Sequence, residues 1–330
     1  MDKIARLTAT ERNALFTETA AAMRTVPAIV EKDFWVVWAL DKLFGHPNLK
    51  NILQFKGGTS LSKAFNLIGR FSEDIDLILD WREVTTENLH KARSKTQQSK
   101  LNEAINEQAK AYIKATLLPQ ISELLSPDCE CHMQGSDGFS IYIRYPSAFK
   151  QAYLKPEILL EIGPLAAWLP SAVMPIQPYA ATHFPQLFKR AECQVPTIVA
   201  RRTFWEKATI LHQEAHRAAD KPMPPRYSRH YYDLALLARA AVRQEALADM
   251  KLLEAVVEFK QRFYPSGWAR YELAVPGSLK LLPSTERLKE VEKDYQAMQG
   301  MIFDKQLSFA EIIETLTALE DEINSLARVV

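Results

Sequence analysis

The apolar positions of this chain are spaced first for helices, then for short strands, then for helices again. Thr10 to Met23 is alanine-rich and capped, and Pro27 to Phe44 opens on a proline and carries Trp35, Trp38, Leu43 and Phe44, so both stretches predict helices. Asn51 to Lys56 is an apolar run broken by Gly57-Gly58, which predicts a strand entering a turn. Thr59 or Ser60 can then cap a helix running to about Ile68. In the strand predicted over Asp74-Ile75-Asp76-Leu77-Ile78-Leu79, Asp74 and Asp76 share one face while Ile75, Leu77 and Leu79 take the other.

Thr86 to Ser126 is polar, with almost no Gly or Pro, and predicts one or two helices inserted into the sheet. Three strands are expected near Glu130 to Gln134, Phe139 to Tyr145 and Glu157 to Ile162. Pro164 to Pro196 is punctuated by prolines and reads as a connection holding one short strand. Helical spacing returns over Thr197 to Arg217, and Lys221 to Arg226 reads as a mobile loop. Further helices are expected from Arg229 to Arg243, Ala246 to Phe263, Thr285 to Gln299 and Ser308 to Leu326.

The Gly-Gly turn and the Asp pair carry the candidate chemistry. Gly57 and Gly58 allow positive φ and let a ligand approach the backbone. The free N–H groups and dipole of a helix start suit a phosphate, although Gly-Gly also makes ordinary strand-to-helix turns. Two carboxylates side by side repel unless a cation lies between them, and carboxylates with substrate phosphates are what Mg²⁺ prefers. A pair of such ions about 3.5–4 Å apart could clamp both oxygens of a phosphoryl displacement. A solvated acidic strand is the bland alternative, and the strand, Gly-Gly-Thr, helix, Asp-x-Asp order argues against it. Lys63 and Arg70 fall on or just after the short helix, within reach of a triphosphate.

Composition adds limits. The 330 residues are 47% hydrophobic and 25% charged, an ordinary globular balance with length for two cores. A net charge of +1 excludes a polyelectrolyte binder, yet Lys189 to His230 holds nine Lys/Arg against four Asp/Glu. That surplus could face a polyanion or a triphosphate, or be a solvated helical face. The start Met1-Asp2-Lys3 shows no signal pattern, no run reaches the roughly 18 apolar residues of a membrane span, and Cys129, Cys131 and Cys193 form no disulfide framework. A reducing cytoplasm is the expected compartment. Cys129-Glu130-Cys131-His132 lacks the usual zinc spacing, and His212 and His216 read as helix-surface histidines.

Phe55-Lys56-Gly57-Gly58-Thr59-Ser60-Leu61-Ser62-Lys63 with Arg70-Phe71-Ser72-Glu73-Asp74-Ile75-Asp76-Leu77 resembles the AbiEii/AbiGii group of the DNA polymerase β-like nucleotidyltransferase superfamily. Glu31-Lys32-Asp33-Phe34-Trp35-Val36 is similar to the group's N-terminal helix motif, Phe204-Trp205-Glu206-Lys207-Ala208-Thr209 to its lysine motif, and Arg229-His230-Tyr231-Tyr232-Asp233-Leu234 to its aspartate motif. The last departs from the family at Arg229-His230, where Arg-Asp is frequent.

The resemblance implies an α+β fold. Residues 1–185 are expected to form a nucleotidyltransferase core with a small mixed β-sheet flanked by helices, N-terminal helices and a helical insertion near 86–126. Residues 186–330 are expected to form a helical C-terminal domain contributing Lys207 and Asp233 to the cleft. It also implies a toxin of a bacterial toxin–antitoxin or abortive-infection (phage defence) system, using an NTP and Mg²⁺ or Mn²⁺ to modify RNA at the tRNA acceptor end, with a cognate antitoxin as partner. In the implied site Asp74 and Asp76 hold metal, with Glu161 as third ligand and activator of the acceptor hydroxyl. Thr59 and the Gly57-Gly58 backbone cradle phosphate, and Lys63 and Arg70 also contact the nucleotide. Lys207 neutralises the triphosphate, and Asp233 is an essential polar residue, base or positioning group. Glu161 lies within an apolar run, where burial would demand a metal or a lysine partner; a strand-end glutamate at the surface is the alternative. A small-molecule or protein hydroxyl as acceptor stays open, as does a non-catalytic NTP-binding module.

Overall fold

The computed structural model describes residues 1–135, 137–149 and 155–328 and falls into two units at places the hydrophobic pattern does not mark. Met1–Ala64 with Phe71–Ile198 form the first; Phe65–Arg70 with the chain from Val199 onward form the second. The boundary lies past residue 185 because Cys193–Ile198 is a strand of the first unit's sheet.

That sheet has seven strands: β1 Leu53–Lys56, β2 Ile75–Leu79, β3 Glu130–Met133, β4 Ser140–Arg144, β5 Glu157–Gly163, β6 Ser171–Ile176 and β7 Cys193–Ile198, in the order β3-β4-β5-β2-β1-β7-β6. It is mixed, with β2–β5 and β1–β7 parallel and the remaining pairs antiparallel. Register puts Phe55 opposite Leu77, Ile75 beside Leu160 and Leu77 beside Ile162, so these apolar side chains line one face. The Pro27–Gly45 helix belongs to the same core through Phe34, Trp35, Trp38 and Leu40, all fully buried. Burial of each large apolar side chain of this kind stabilises by roughly 1.5–3 kcal/mol. Trp35 also stacks on Tyr145 at 5.6 Å between ring centres.

The polar stretch expected to be helical forms Lys95–Tyr112, a π turn over Ile113–Leu117 and Leu118–Leu125. Ser94 and Gln97 close its start as a capping box. Its only deeply apolar positions, Ile105, Ala109, Ile113, Leu117, Ile121 and Leu125, recur every fourth residue and are all buried. A four-residue repeat drifts about 40° per step around a 3.6-residue helix, and the wider π turn takes up part of that drift.

Pro164 to Pro196 holds two strands rather than one. β6 and β7 pair along their whole length, with Val173 opposite Pro196 and Pro175 opposite Gln194. Prolines lack the N–H that strand pairing uses, so the pattern read as loop. The helix expected from Thr197 begins at Ala200.

The second unit packs Ala200–Ala215, Ser228–Ala238, Val242–Leu247, Met250–Phe263, Leu288–Met298 and Phe309–Ser325 around Phe204, Trp205, Tyr231, Tyr232, Leu253, Ile312 and Leu316. The 221–226 loop is pinned rather than mobile. Glu290 accepts from the Met223 N–H at 3.2 Å, and Asp294 from the Arg226 and Ser228 N–H groups at 2.7 and 2.8 Å. Arg287 donates to the carbonyls of Ala218 and Lys221. Phe65–Arg70, covalently between the Gly57–Lys63 helix and β2, is seated in this unit too. The Gly69 carbonyl accepts from the N–H groups of Phe303 and Asp304 at 3.1 Å, Arg70 bridges Ile302, and Lys305 donates to the Asn66 carbonyl. A Cβ on Gly69 would stand 2.1 Å from the Asp304 carbonyl oxygen, so this seat requires glycine.

No described helix is long and apolar enough to cross a membrane, and the three cysteines are free. His212 is not a surface residue. It is fully buried, accepts from the Lys280 N–H at Nδ1 (3.0 Å) and presents Nε2 to the Arg270 carbonyl at 3.0 Å. Those partners fix the neutral ring with its proton on Nε2.

Burial pulls the His212 pKa from 6.5 down to about 4. Its contribution to stability is therefore complete above pH 6.5 and lost as pH falls towards 4, where the unfolded chain takes up a proton that the folded one refuses. The difference corresponds to roughly 3 kcal/mol. Urea unfolding of the second unit between pH 7 and 4 should show this decline, and His212→Gln should flatten it. Equal slopes in the two proteins would refute the assignment.

Candidate active site

Burying one face of β2 turns its carboxylates to the other. Asp76 lies between Lys56 of β1 and Glu161 of β5 in the register, and Glu161 is followed across the sheet by Ser140 of β4. Paired residues share a face, so Lys56, Asp76 and Glu161 form a row opposite the apolar core. Asp74 immediately precedes the strand. Asp74 and Asp76 are half-buried, whereas Glu161 is exposed. The burial argument made for Glu161 therefore does not apply: its place in the apolar run is an outward one.

Gly57 packs against Asp76. With φ at +82°, it occupies the left-handed region, and a Cβ there would lie 1.9 Å from the Asp76 Oδ2. The helix starts at Gly57 itself, with Lys56 as an N-cap whose side chain does not cap the helix, and it ends at Lys63 instead of near Ile68. Neither hydroxyl caps it from outside. Ser60 donates back to the Gly57 carbonyl at 2.8 Å. Thr59 is buried and donates to the Asp74 backbone carbonyl at 2.5 Å, which fixes the entry to β2. Its hydroxyl proton is spent on that bond, so it holds Asp74 in place rather than presenting a donor to phosphate.

The Pro27–Gly45 helix braces this loop from below with three consecutive charged residues, all buried. Glu31 accepts from Ser147 Oγ and the Ala148 N–H, each at 2.7 Å. Lys32 pairs with Glu73, the residue before Asp74, at 2.5 Å. Asp33 pairs with Lys63 at 2.6 Å and accepts from the Tyr179 N–H at 2.7 Å. Lys63 also sits 3.7 Å from the centre of the Tyr179 ring. It was expected at a triphosphate; with only 6% of its side chain exposed, it is a buried partner of Asp33. The sequence held a signal for this. Successive helix residues are about 100° apart, so three in a row cannot all escape the core of a helix apolar all round.

Hard carboxylate oxygens suit Mg²⁺, and two of them with substrate phosphates make a sufficient set. Asp74 and Asp76 fit that requirement. Among the described residues no three His, Cys, Asp or Glu side chains are gathered closely enough to hold a metal by themselves, so the structure does not assemble Asp74, Asp76 and Glu161 into a finished three-ligand site. The Cys129–His132 segment forms no metal cluster either.

In the second unit, Arg70, Lys207 and Asp233 come together. Arg70 donates to both oxygens of Asp233 at 2.7 and 2.8 Å, and Lys207 approaches Oδ2 at 2.7 Å. Asp233 is 0% exposed. Burial alone would raise its pKa, but the charges and hydrogen bonds of Arg70 and Lys207 outweigh that and hold it below the usual carboxylate range. His230 is kept neutral by burial and by the cations Lys207 and Arg229. The basic surplus of 189–230 is largely ion-paired within the protein. Arg190, Arg201, Arg202, Lys207, Arg217 and Lys221 are ion-paired with Asp41, Asp249, Glu206, Asp233, Glu214 and Asp220.

The family described as "Nucleotidyl transferase AbiEii toxin, Type IV TA system" matches residues 38–315. No curated protein matches the sequence. Among solved structures, the nucleotidyltransferase toxin MenT4 of Mycobacterium tuberculosis is 18% identical, with 97% of this chain and 99% of that one covered at a TM-score of 0.45. JHP933 of Helicobacter pylori is 13% identical over 91% and 95% of the two chains at 0.44.

Two substitutions test this geometry. Gly57→Ala must displace the Asp76 carboxylate or the turn, and nucleotide transfer should fall by about 100-fold or more while circular dichroism stays unchanged. Lys63→Met strands Asp33 without its cation, and urea unfolding should show a loss of about 3 kcal/mol. A Lys63→Met protein of unchanged stability would show that the pair does not hold the loop.

Proposed function

The chain belongs to the AbiEii family of nucleotidyltransferase toxins, of the type IV toxin–antitoxin class, and from that premise we propose that it transfers a nucleotide from an NTP to the acceptor end of tRNA. The observation carrying this reading is the row Lys56, Asp76 and Glu161 on the open face of the sheet, with Gly57 pressed against Asp76. Nucleotidyltransferases in general use an NTP and a divalent metal. Here Asp74 and Asp76 would hold Mg²⁺ or Mn²⁺, with Glu161 as the third carboxylate; bound there, the ion neutralises phosphate charge.

The protein's own groups do the rest. The Gly57-Gly58 backbone lets the phosphates approach. Thr59 and the Lys32–Glu73 pair hold the start of β2 so that Asp74 and Asp76 keep their places. Glu161, exposed beside Asp76, takes the proton of the acceptor hydroxyl. For Arg70 and Lys207 a role at the triphosphate is carried over from the family motif alone; both are paired with the buried Asp233 in the second unit. Such catalysis is mostly positioning and charge stabilisation, and no protein nucleophile takes part. The family implies an antitoxin partner. We place the protein in the cytoplasm, as a phage-defence toxin with its antitoxin encoded beside it.

A small-molecule acceptor is the second reading, favoured by one observation: most cations of the 189–230 segment are already paired within the protein, which leaves less free charge for an RNA backbone.

Purified protein incubated with each α-labelled NTP, Mg²⁺ and total tRNA should label tRNA from one NTP. Asp76→Ala should lower that transfer at least about 100-fold without loss of stability, because it removes one of two repelling carboxylates. Full activity in Asp76→Ala would exclude the metal assignment. Binding of the NTP without label on tRNA would move the acceptor to a small molecule or a protein.

A further inference from the structure

A cavity of about 330 Å³ opens in the helical unit, lined by Gln213, Lys260, Tyr264, Ser266 and Tyr271. All five residues belong to that one unit. Gln213 comes from the last turn of the Ala200–Ala215 helix and Lys260 from the last turn of Met250–Phe263; the other three lie on the segment of short turns that follows.

One wall is aromatic. Tyr264, which closes the Met250–Phe263 helix, keeps 53% of its surface exposed. Tyr271 is buried, and its hydroxyl donates to Gln213 Oε1 at 2.5 Å. That bond orients the Gln213 amide and leaves Nε2 as its donor. Lys260 lies along the same wall, with Nζ donating to the Glu206 carbonyl at 3.3 Å and standing 5.7 Å from the centre of the Tyr271 ring. Ser266 Oγ is shielded from solvent and has no hydrogen-bond partner among the described residues. Folded proteins rarely strand a hydroxyl in this way. A serine side chain turns about a single bond, so a polar ligand in the cavity can draw the hydroxyl towards it.

A displayed ring beside an amide and a hydroxyl is the equipment of nucleobase recognition: the ring stacks on the face of the base, and the polar groups meet its edge. An apolar side chain from a protein partner would also pack on the ring, but it would leave Ser266 and Gln213 unanswered. The volume lies at the lower end of small-ligand sites, which run from about 300 to 1,000 Å³, and suits one base. Four residues past Tyr264, Trp268 is 41% exposed, with the Arg217 guanidinium 4.7 Å from its ring centre. A second displayed ring on the same segment suits a strand of bases better than a lone nucleotide.

We propose that this cavity holds one nucleobase of a single-stranded RNA, stacked on Tyr264 with its edge met by Gln213 and Ser266, and that Trp268 receives a neighbouring base. The inference deepens the RNA-acceptor reading above and rests on it for the biological strand. Stacking draws on no unpaired cation, so it suits a chain whose 189–230 cations are largely paired within the protein.

The test is fluorescence anisotropy of a labelled, unstructured RNA oligonucleotide of mixed sequence on the full-length protein, with the four nucleoside monophosphates as the single-nucleotide arm. Tyr264→Ala should weaken oligonucleotide binding about 10-fold, and Tyr264→Phe, which keeps the ring, should retain it. Ser266→Ala should weaken binding about 5-fold with the melting temperature unchanged or raised, because it removes a buried hydroxyl that has no partner. A purely structural serine would not separate affinity from stability in that direction. Wild-type affinity in Tyr264→Ala overturns the proposal; should that variant lose its fold, wild-type affinity in Ser266→Ala does so instead. A monophosphate that binds as tightly as the oligonucleotide, with the same sensitivity to Tyr264→Ala, would make the occupant a free nucleotide and overturn the strand. A wild-type protein that binds no oligonucleotide would also overturn the proposal and leave the exposed rings to a protein partner. The acceptor role has its own readout: nucleotide label appearing on no RNA, while oligonucleotide binding still depends on Tyr264, removes that role and retains the site.

Discussion

Everything at the carboxylates depends on the packing of the Pro27–Gly45 helix in one core with the apolar face of β2. A strand has only two faces. Once Ile75, Leu77 and Leu79 are buried with Phe34, Trp35 and Trp38, Asp76 has no choice but the opposite side. The parallel pairing with β5 then places Glu161 beside it, and the antiparallel pairing with β1 places Lys56 on its other flank. A register slip of one residue would bury the acids and expose the isoleucine and leucines, so the core energy specifies the site as strictly as it specifies the sheet.

Buried charges in this protein fasten loops. Lys32–Glu73 and Asp33–Lys63 tie a core helix to the two segments that flank the Gly-Gly turn and the Asp strand. Arg70–Asp233 does the same for the Phe65–Arg70 segment in the helical unit. Pairs of this kind add little net stability, since desolvation takes back most of the Coulomb attraction, but breaking one is severe. They are therefore suited to fixing a geometry. The cradle around Asp74 and Asp76 is built of backbone and small residues, and a buried ionic frame holds it in shape.

That division separates groups that meet ligands from groups that place them. Asp74, Asp76 and Glu161 have carboxylates on or near the open face of the sheet. Thr59 and Lys63 were expected at the nucleotide and Asp233 as a base or positioning group, yet each is committed to an internal partner. A motif keeps residues for either reason, and only the partner atom tells which.

Local signals in the chain were sufficient for the presence of most helices though not for their ends, for the strands rich in isoleucine and leucine, and for the Asp74/Asp76 face, because each follows from the period of apolar residues over a handful of positions. The Gly-Gly turn was equally legible, since no other residue type can sit against Asp76 with Gly57's backbone. β6 and β7 were hidden by Pro175 and Pro196, whose missing N–H groups disguise pairing that the neighbouring residues nonetheless complete. The exposure of Glu161, the burial of His212, the pairing of Lys63 with Asp33 and the seat of Arg70 beside Asp233 were decided by the tertiary structure alone. Whether a charged side chain meets solvent or an opposite charge depends on residues that are distant in sequence, 163 positions apart for Arg70 and Asp233. Periodicity shows which way a side chain points, and only the folded chain brings up what it meets there.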